Sequence, residues 1–329
     1  MRTFMKVVAC TWVAMTVALS AEAQSQGIDY EKTQIIPQRL APHFYALTGS
    51  AGVDPGHPEG AGGRIGILVG SDGVFMVDAS YAPLSEKIAA TIKAIDPGPI
   101  RFLVNTHYHP DHTGGNPNFV KRGAVLLARD EVRQALIPLP PPALLAAVGA
   151  AASWKDPERL PTVTFMLGSP VKIYFDSETV DLIPLPAAHT NGDVMVRFET
   201  SDVIMIGDFY RNYGYPFVDA AGGGSFNGVL AAIDLLLRTA GPNTKLVPGH
   251  GSLPTRADIE GYRDMILDVR AKVQAMAAAG KTLPEVLAAK LTAPYDVRVP
   301  GGTQPLPGGL GTSADRFVST LYGEVKAGK

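Results

Sequence analysis

A single cysteine, Cys10, is all the thiol chemistry in this 329-residue chain. That excludes an internal disulfide and any cluster of thiolate ligands. Charged residues are sparse at 18%, and the formal charge of −2 is close to neutral. Such a chain carries no basic field for nucleic acid or for an anionic surface, so neither is an expected partner. There is no internal repeat of roughly 20 to 50 residues and no long run of like charge. No apolar run reaches the roughly 20 residues that a membrane span requires.

Arg2 and Lys6 form a short basic start, Val7 to Leu19 is almost wholly apolar, and Ala21-Glu22-Ala23 has the small-x-small pattern of a cleavage site. Residues 1–23 are therefore expected to be a secretory signal, with a mature chain from about Gln24 and a periplasmic or secreted destination. Val8-Ala9-Cys10 only faintly resembles a lipidation box, because the apolar stretch follows that cysteine rather than preceding it. Cys10 would leave with the signal. About 300 residues would remain, enough for a single large α/β domain.

Short apolar runs at 43–48, 64–69 and 73–77 read as strands, with a tight turn at Ser71-Asp72-Gly73. The Gly- and Pro-rich stretch 49–63 between the first two is either a mobile flap or a floppy tip. Helical periodicity follows over 83–95, then strands at 100–105 and 124–128. Residues 130–161, Ala- and Leu-rich but broken by prolines, read as a helical insertion. Strands at 171–175, 180–184, 194–198 and 203–206 precede a helix at 226–238 and a strand at 245–247. A long amphipathic helix capped by Thr255 runs to about Ala279 and stops at Gly280. The apolar positions Phe317, Val318, Leu321 and Tyr322 read as the docked face of a last helix. By pattern alone, the chain is α/β.

Three of the seven histidines fall within six residues: His107, His109 and His112, with Asp111 among them. They follow an apolar strand directly. Side chains two apart in an extended segment point the same way, so His107 and His109 can grip one ion, while Asp111 and His112 can face another. Massing so many polar groups in one place is costly unless a metal repays it. Imidazole and carboxylate without thiolate suit zinc, with iron and manganese as alternatives. His43 and His57, each isolated, read as ordinary core or surface residues.

The His107-x-His109-x-Asp111-His112 motif resembles the signature of the metallo-β-lactamase superfamily. Ala188 to Asp193, Gly207-Asp208 and Pro248-Gly249-His250-Gly251 resemble its later ligand motifs, in the required order. The resemblance implies an αββα sandwich of two mixed β-sheets with outer helices. It places His107, His109 and His189 on one divalent ion, Asp111, His112 and His250 on a second, and Asp208 between both. Asp78, after the strand ending at Val77, stands where the family has a buried aspartate that orients the ligand loop.

The activity implied is that of a dinuclear-metal hydrolase. A metal-bridging hydroxide would attack an acyl carbonyl (β-lactam, lactone, thioester or ester), and Asp111 would hold its proton. Asp208 favours lactonase- and thioesterase-like relatives over β-lactamases. Tyr210, Tyr213 and Tyr215 lie near the place of a lactonase tyrosine without matching its spacing, and read as packing residues. The Gly222-Gly223-Gly224 run reads as a flexible loop lining the pocket. Two other classes are compatible with the same fold: an iron-dependent sulfur or oxygen oxidoreductase, and a metal-binding protein without turnover. Substrate, native metal and oligomeric state do not follow from the sequence.

Overall fold

The structure, a computed structural model, describes residues 27–138, 155–306 and 311–328. The expected signal at 1–23 and the middle of the expected insertion, 139–154, lie outside them. Twelve strands among the described residues form two sheets. The first runs in chain order: β1 (Ile35–Ala41), β2 (Phe44–Gly49), β3 (Ile65–Gly70), β4 (Gly73–Val77), β5 (Ile100–Val104), β6 (Val125–Arg129) and β7 (Val163–Phe165). The second is ordered β12-β11-β10-β9-β8, from β8 (Val171–Phe175), β9 (Glu178–Pro184), β10 (Val194–Phe198), β11 (Val203–Gly207) and β12 (Lys245–Pro248). By contacts the chain divides into two units, Met1–Gln38 with Leu47–Thr164, and Arg39–Ala46 with Phe165–Lys329.

In the first unit, β3 and β4 are antiparallel, with Gly70 opposite Gly73 across the expected two-residue turn. Strands β4, β5 and β6 are parallel. Every residue of β4 is buried, as its unbroken apolar sequence requires of a strand covered on both faces. The register sets Val77 beside Val104 and Val104 beside Leu127, so the segments leaving β4 and β5 start side by side. That edge, at the carboxyl ends of parallel strands, is where open α/β sheets bind ligands. Helix α1 (Ser85–Ile95) follows β4. The short helices α2 (Pro110–Thr113) and α3 (Asn116–Val120) follow β5, and α4 (Asp130–Leu136) follows β6.

In the second unit, β11 is antiparallel to β10, and β10 to β9, while β12 is parallel to β11. The carboxyl ends of β9, β11 and β12 therefore share one edge. Helices α5 (Phe226–Thr239), α6 (Arg256–Ala278), α7 (Leu283–Ala288) and α8 (Ser313–Lys326) complete the unit. The core packs Ile204, Ile206 and Leu246 of the sheet with Phe226, Ile233 and Leu236 of α5, and Ile259, Ile266 and Val273 of α6. Phe317, Val318 and Leu321 of α8 are buried in the same core, so the apolar C-terminal stretch is a docked helix face. Ser225 caps α5 by accepting from Gly228 N–H, and Thr255 and Asp258 close a capping box on α6. No helix among the described residues is long and apolar enough to cross a membrane.

Candidate metal centre

Asp78 leaves β4 in the left-handed region, at φ 62°, with its side chain buried. Its Oδ1 accepts from Thr106 N–H at 2.8 Å, and its Oδ2 from the Thr106 hydroxyl at 2.7 Å. Oδ2 also lies 2.8 Å from His112 Nδ1. A carboxylate only accepts, so His112 Nδ1 donates and Nε2 is the ring's acceptor nitrogen, the one able to coordinate. The Thr106 hydroxyl has spent its one proton on Asp78, so at 3.1 Å it accepts from His107 Nδ1. One buried carboxylate thus sets two imidazoles, one directly and one through a threonine. Burial pushes the Asp78 carboxyl above its usual range, against the pull of His112 and Thr106.

The neighbouring backbone is pinned as tightly. Asn105 and Asn116, both fully buried, exchange amide hydrogen bonds at 3.0 and 2.8 Å. His112 C=O accepts from Ala79 N–H at 2.8 Å. The His107 ring is 4.2 Å, centroid to centroid, from that of His112 and 4.8 Å from that of the half-buried His109. Asp111 is buried, with Oδ2 3.5 Å from His112 Nε2.

The second unit carries its own cluster at the shared edge of β9, β11 and β12. The loop after β9 is tied by Asp193, which accepts from the N–H and hydroxyl of Thr190. His189 Nδ1 donates to the Phe217 carbonyl at 3.0 Å, which leaves Nε2 as the outward nitrogen. Asp208 directly follows β11, and Gly249 N–H bonds Gly207 C=O, which brings His250 alongside. Asp208 Oδ2 lies 3.3 Å from His250 Nε2 and 3.8 Å from His189 Nε2.

The glycine run is not a loose loop. A Cβ on Gly224 would stand 2.3 Å from the His189 carbonyl oxygen, so the close approach of the two chains requires glycine there. Tyr210 and Tyr215 are buried, and Tyr215 stacks on Phe317 and bonds Asp296 and the Thr292 carbonyl. Both are packing residues, and burial pushes the Tyr210 phenol up to about 12.

The stretch 49–63 is tied down as well. Asp54, buried, accepts from the N–H groups of Gly56, His57 and Gly62. His57, read from sequence as ordinary, is buried with Nδ1 3.3 Å from Asp54 Oδ2. A ring nitrogen of His57 lies within 4.8 Å of a carboxylate oxygen of Asp111. The only sequence signal was the short Asp54-Pro55-Gly56-His57 turn. Tyr30 stands near both carboxylates: burial, then the charges of Asp54 and Asp111, push its phenol upward.

Gly63 N–H bonds Asp111 C=O at 3.0 Å, and a Cβ on Gly63 would fall 2.5 Å from His112 Cε1. Gly63→Ala is therefore expected to push His112 aside and weaken metal binding by about tenfold or more, read by competition with a chelator. An unchanged affinity would refute the contact.

The donors fit a divalent ion. Imidazole nitrogens and carboxylate oxygens are gathered at strand ends, and the Nδ1 atoms of His107, His112 and His189 are already spent on protein acceptors. That is how ligating imidazoles are oriented in metal sites, and the absence of thiolate suits zinc and its neighbours.

The model of the metallo-beta-lactamase superfamily matches residues 60–251, the stretch that holds both clusters. A metallo-beta-lactamase from Pontibacter korlensis is similar in structure with a TM-score of 0.54 at 18% identity, covering 70% of this chain and 99% of that one. VMB-1 is similar at 0.53 and 16%, over 70% of this chain and 95% of that one. DIM-1 metallo-beta-lactamase, exposed to ceftazidime, gives 0.54 and 15% over the same shares. No curated protein matches the chain in sequence. The likenesses agree with two mixed sheets flanked by helices, and the superfamily is one whose members are mostly metal-dependent hydrolases. By its family match and its fold, the chain belongs to the metallo-β-lactamase superfamily.

Proposed function

We propose that the protein is a dinuclear metal-dependent hydrolase of an acyl bond. His107, His109 and His189 would hold one divalent ion, Asp111, His112 and His250 a second, and Asp208 would serve both. The observation that carries this reading is Asp208 Oδ2, which has the Nε2 atoms of His250 and His189 at 3.3 and 3.8 Å. One carboxylate oxygen facing two imidazoles suits a shared ligand. Zinc is the metal proposed, on the donor set.

Bound divalent ions supply water activated near neutral pH and polarise a carbonyl. The chain's own part is to hold that chemistry in place. Asp78 and Thr106 fix the rings of His112 and His107, and the Phe217 carbonyl fixes His189. Asp111, buried beside His112, would accept a hydrogen bond from the attacking nucleophile, holding its proton and orienting its lone pair. No serine or cysteine nucleophile is assigned, so no covalent intermediate is expected.

The names of the structural relatives support β-lactams as substrates, while the aspartate at 208 supports lactones or thioesters, and we favour the latter. The test is hydrolysis by the zinc-loaded protein of a chromogenic β-lactam, a lactone and a glutathione thioester, with His112→Ala as control. Turnover of lactone or thioester, lost in the control, is expected. Turnover of the β-lactam alone would overturn the substrate preference. Silence on all three, with iron-dependent oxygen uptake, would overturn the hydrolase reading itself.

A further inference from the structure

We propose that His57, oriented by Asp54, is an additional ligand of the ion that Asp111 would hold. The inference rests on the dinuclear reading above and adds a residue outside its seven ligands. Four observations lead to it. His57 is buried at 2% exposure and Asp54 at 1%, so the pair is withdrawn from water. Nδ1 of His57 faces Asp54 Oδ2 at 3.3 Å, which repeats the carboxylate–imidazole arrangement of Asp78 and His112 in the same unit. A ring nitrogen of His57 is within 4.8 Å of an Asp111 carboxylate oxygen. The loop that presents it is fastened beside Asp111 by the Gly63 N–H bond to Asp111 C=O.

Distance and chemistry decide between a ligand and a merely satisfied core histidine. Two donors on one tetrahedral zinc, each about 2.0–2.2 Å from it, stand roughly 3.3–3.6 Å apart. A separation within 4.8 Å is thus closed by a movement of about 1.5 Å or less, within reach of a side-chain adjustment. With Nδ1 turned to Asp54, Nε2 is the ring's acceptor nitrogen, the one whose lone pair can coordinate an ion. The loop itself is built around the pair: Asp54 gathers the N–H groups of Gly56, His57 and Gly62, and Gly60 N–H bonds His57 C=O at 3.0 Å. A ligand on this loop ties residues 49–63 to the metal, which turns a Gly- and Pro-rich connection into part of the site.

The experiment measures metal stoichiometry and chelator competition for the full chain, its His57→Ala and His57→Gln forms, and Asp54→Asn. Cobalt-substituted visible absorption is recorded for each, and circular dichroism checks that each is folded. The two His57 variants are expected to bind the ion that Asp111 would hold about tenfold or more less tightly and to show an altered cobalt spectrum. Asp54→Asn keeps the imidazole and loosens its aim, so a smaller loss of affinity is expected. If the parent chain takes up metal while both folded His57 variants match it in affinity and cobalt spectrum, His57 is no ligand and the dinuclear reading stands. A parent chain that takes up no metal would overturn both.

Discussion

Asp208→Ala is expected to leave the protein folded but able to hold no more than one ion, with kcat/KM reduced by more than about a hundredfold. Loss of a residue that only orients a ligand already costs roughly 10- to 100-fold, and Asp208 is proposed as a ligand itself. The seven proposed ligands are five histidines and two aspartates. Neutral imidazoles offset no charge, so of the seven only Asp111 and Asp208 would bring negative charge directly onto the two cations. Removing one leaves the ions to repel each other in a partly desolvated site, where Coulomb energies are larger than in water. The fold should survive, because Asp208 lies beyond the end of β11 and keeps some exposure, while β11 itself is wholly buried. Asp208→Asn, which keeps the shape and loses the charge, should fall between Ala and the parent. Elemental analysis after dialysis decides the matter. Full metal content in the Ala variant would sink the shared-ligand assignment.

What could be read in the sequence was local. His107, His109 and His112 declared themselves because three ligands fit within one strand end. The motifs at 189, 208 and 250 were found through their likeness to a family pattern, and the sheet explains that pattern: β9, β11 and β12 end at one edge. Most strands were legible because buried strands read as short apolar runs. Strand β1 was not. It is an edge strand whose residues 36–39 are exposed, with Pro37 within it, so it has neither alternation nor an apolar run. His57 was hidden for a different reason. Its value depends on how fifteen aperiodic residues fold back on Asp111, and no spacing rule encodes that. Gly224 was misread as slack because a glycine run signals mobility and close approach alike; here the His189 carbonyl oxygen fills the space of its missing side chain.

Asp78→Ala should be the most damaging single change away from the proposed ligands. Three donors converge on its carboxylate: Thr106 N–H, the Thr106 hydroxyl and His112 Nδ1. Each sits on a buried residue that water cannot readily reach, and a buried polar group stripped of its partner costs about 1–3 kcal/mol. A loss of about 3–5 kcal/mol is expected, the cost of breaking a buried ion pair and the lower part of what three stranded donors would add up to. That is a large share of the roughly 5–15 kcal/mol by which domains are stable. His112 and, through Thr106, His107 would lose their aim together, so metal affinity should fall by a further 10- to 100-fold or so.

Left-handed backbone at φ 62° suits glycine better than aspartate, so the position keeps a carboxylate at a conformational cost. Asp78→Gly should relieve that cost and still be destabilised, which separates the hydrogen-bond contribution from backbone strain. Asp78→Asn tolerates the same φ and can accept on its oxygen only, so at least one donor would face its NH2 group. Urea unfolding of the metal-free and zinc-loaded proteins measures both effects. If Asp78→Ala unfolds at the parent's urea midpoint and resists chelators as well as the parent does, the chain from Asp78 through Thr106 to the two imidazoles does not hold the site.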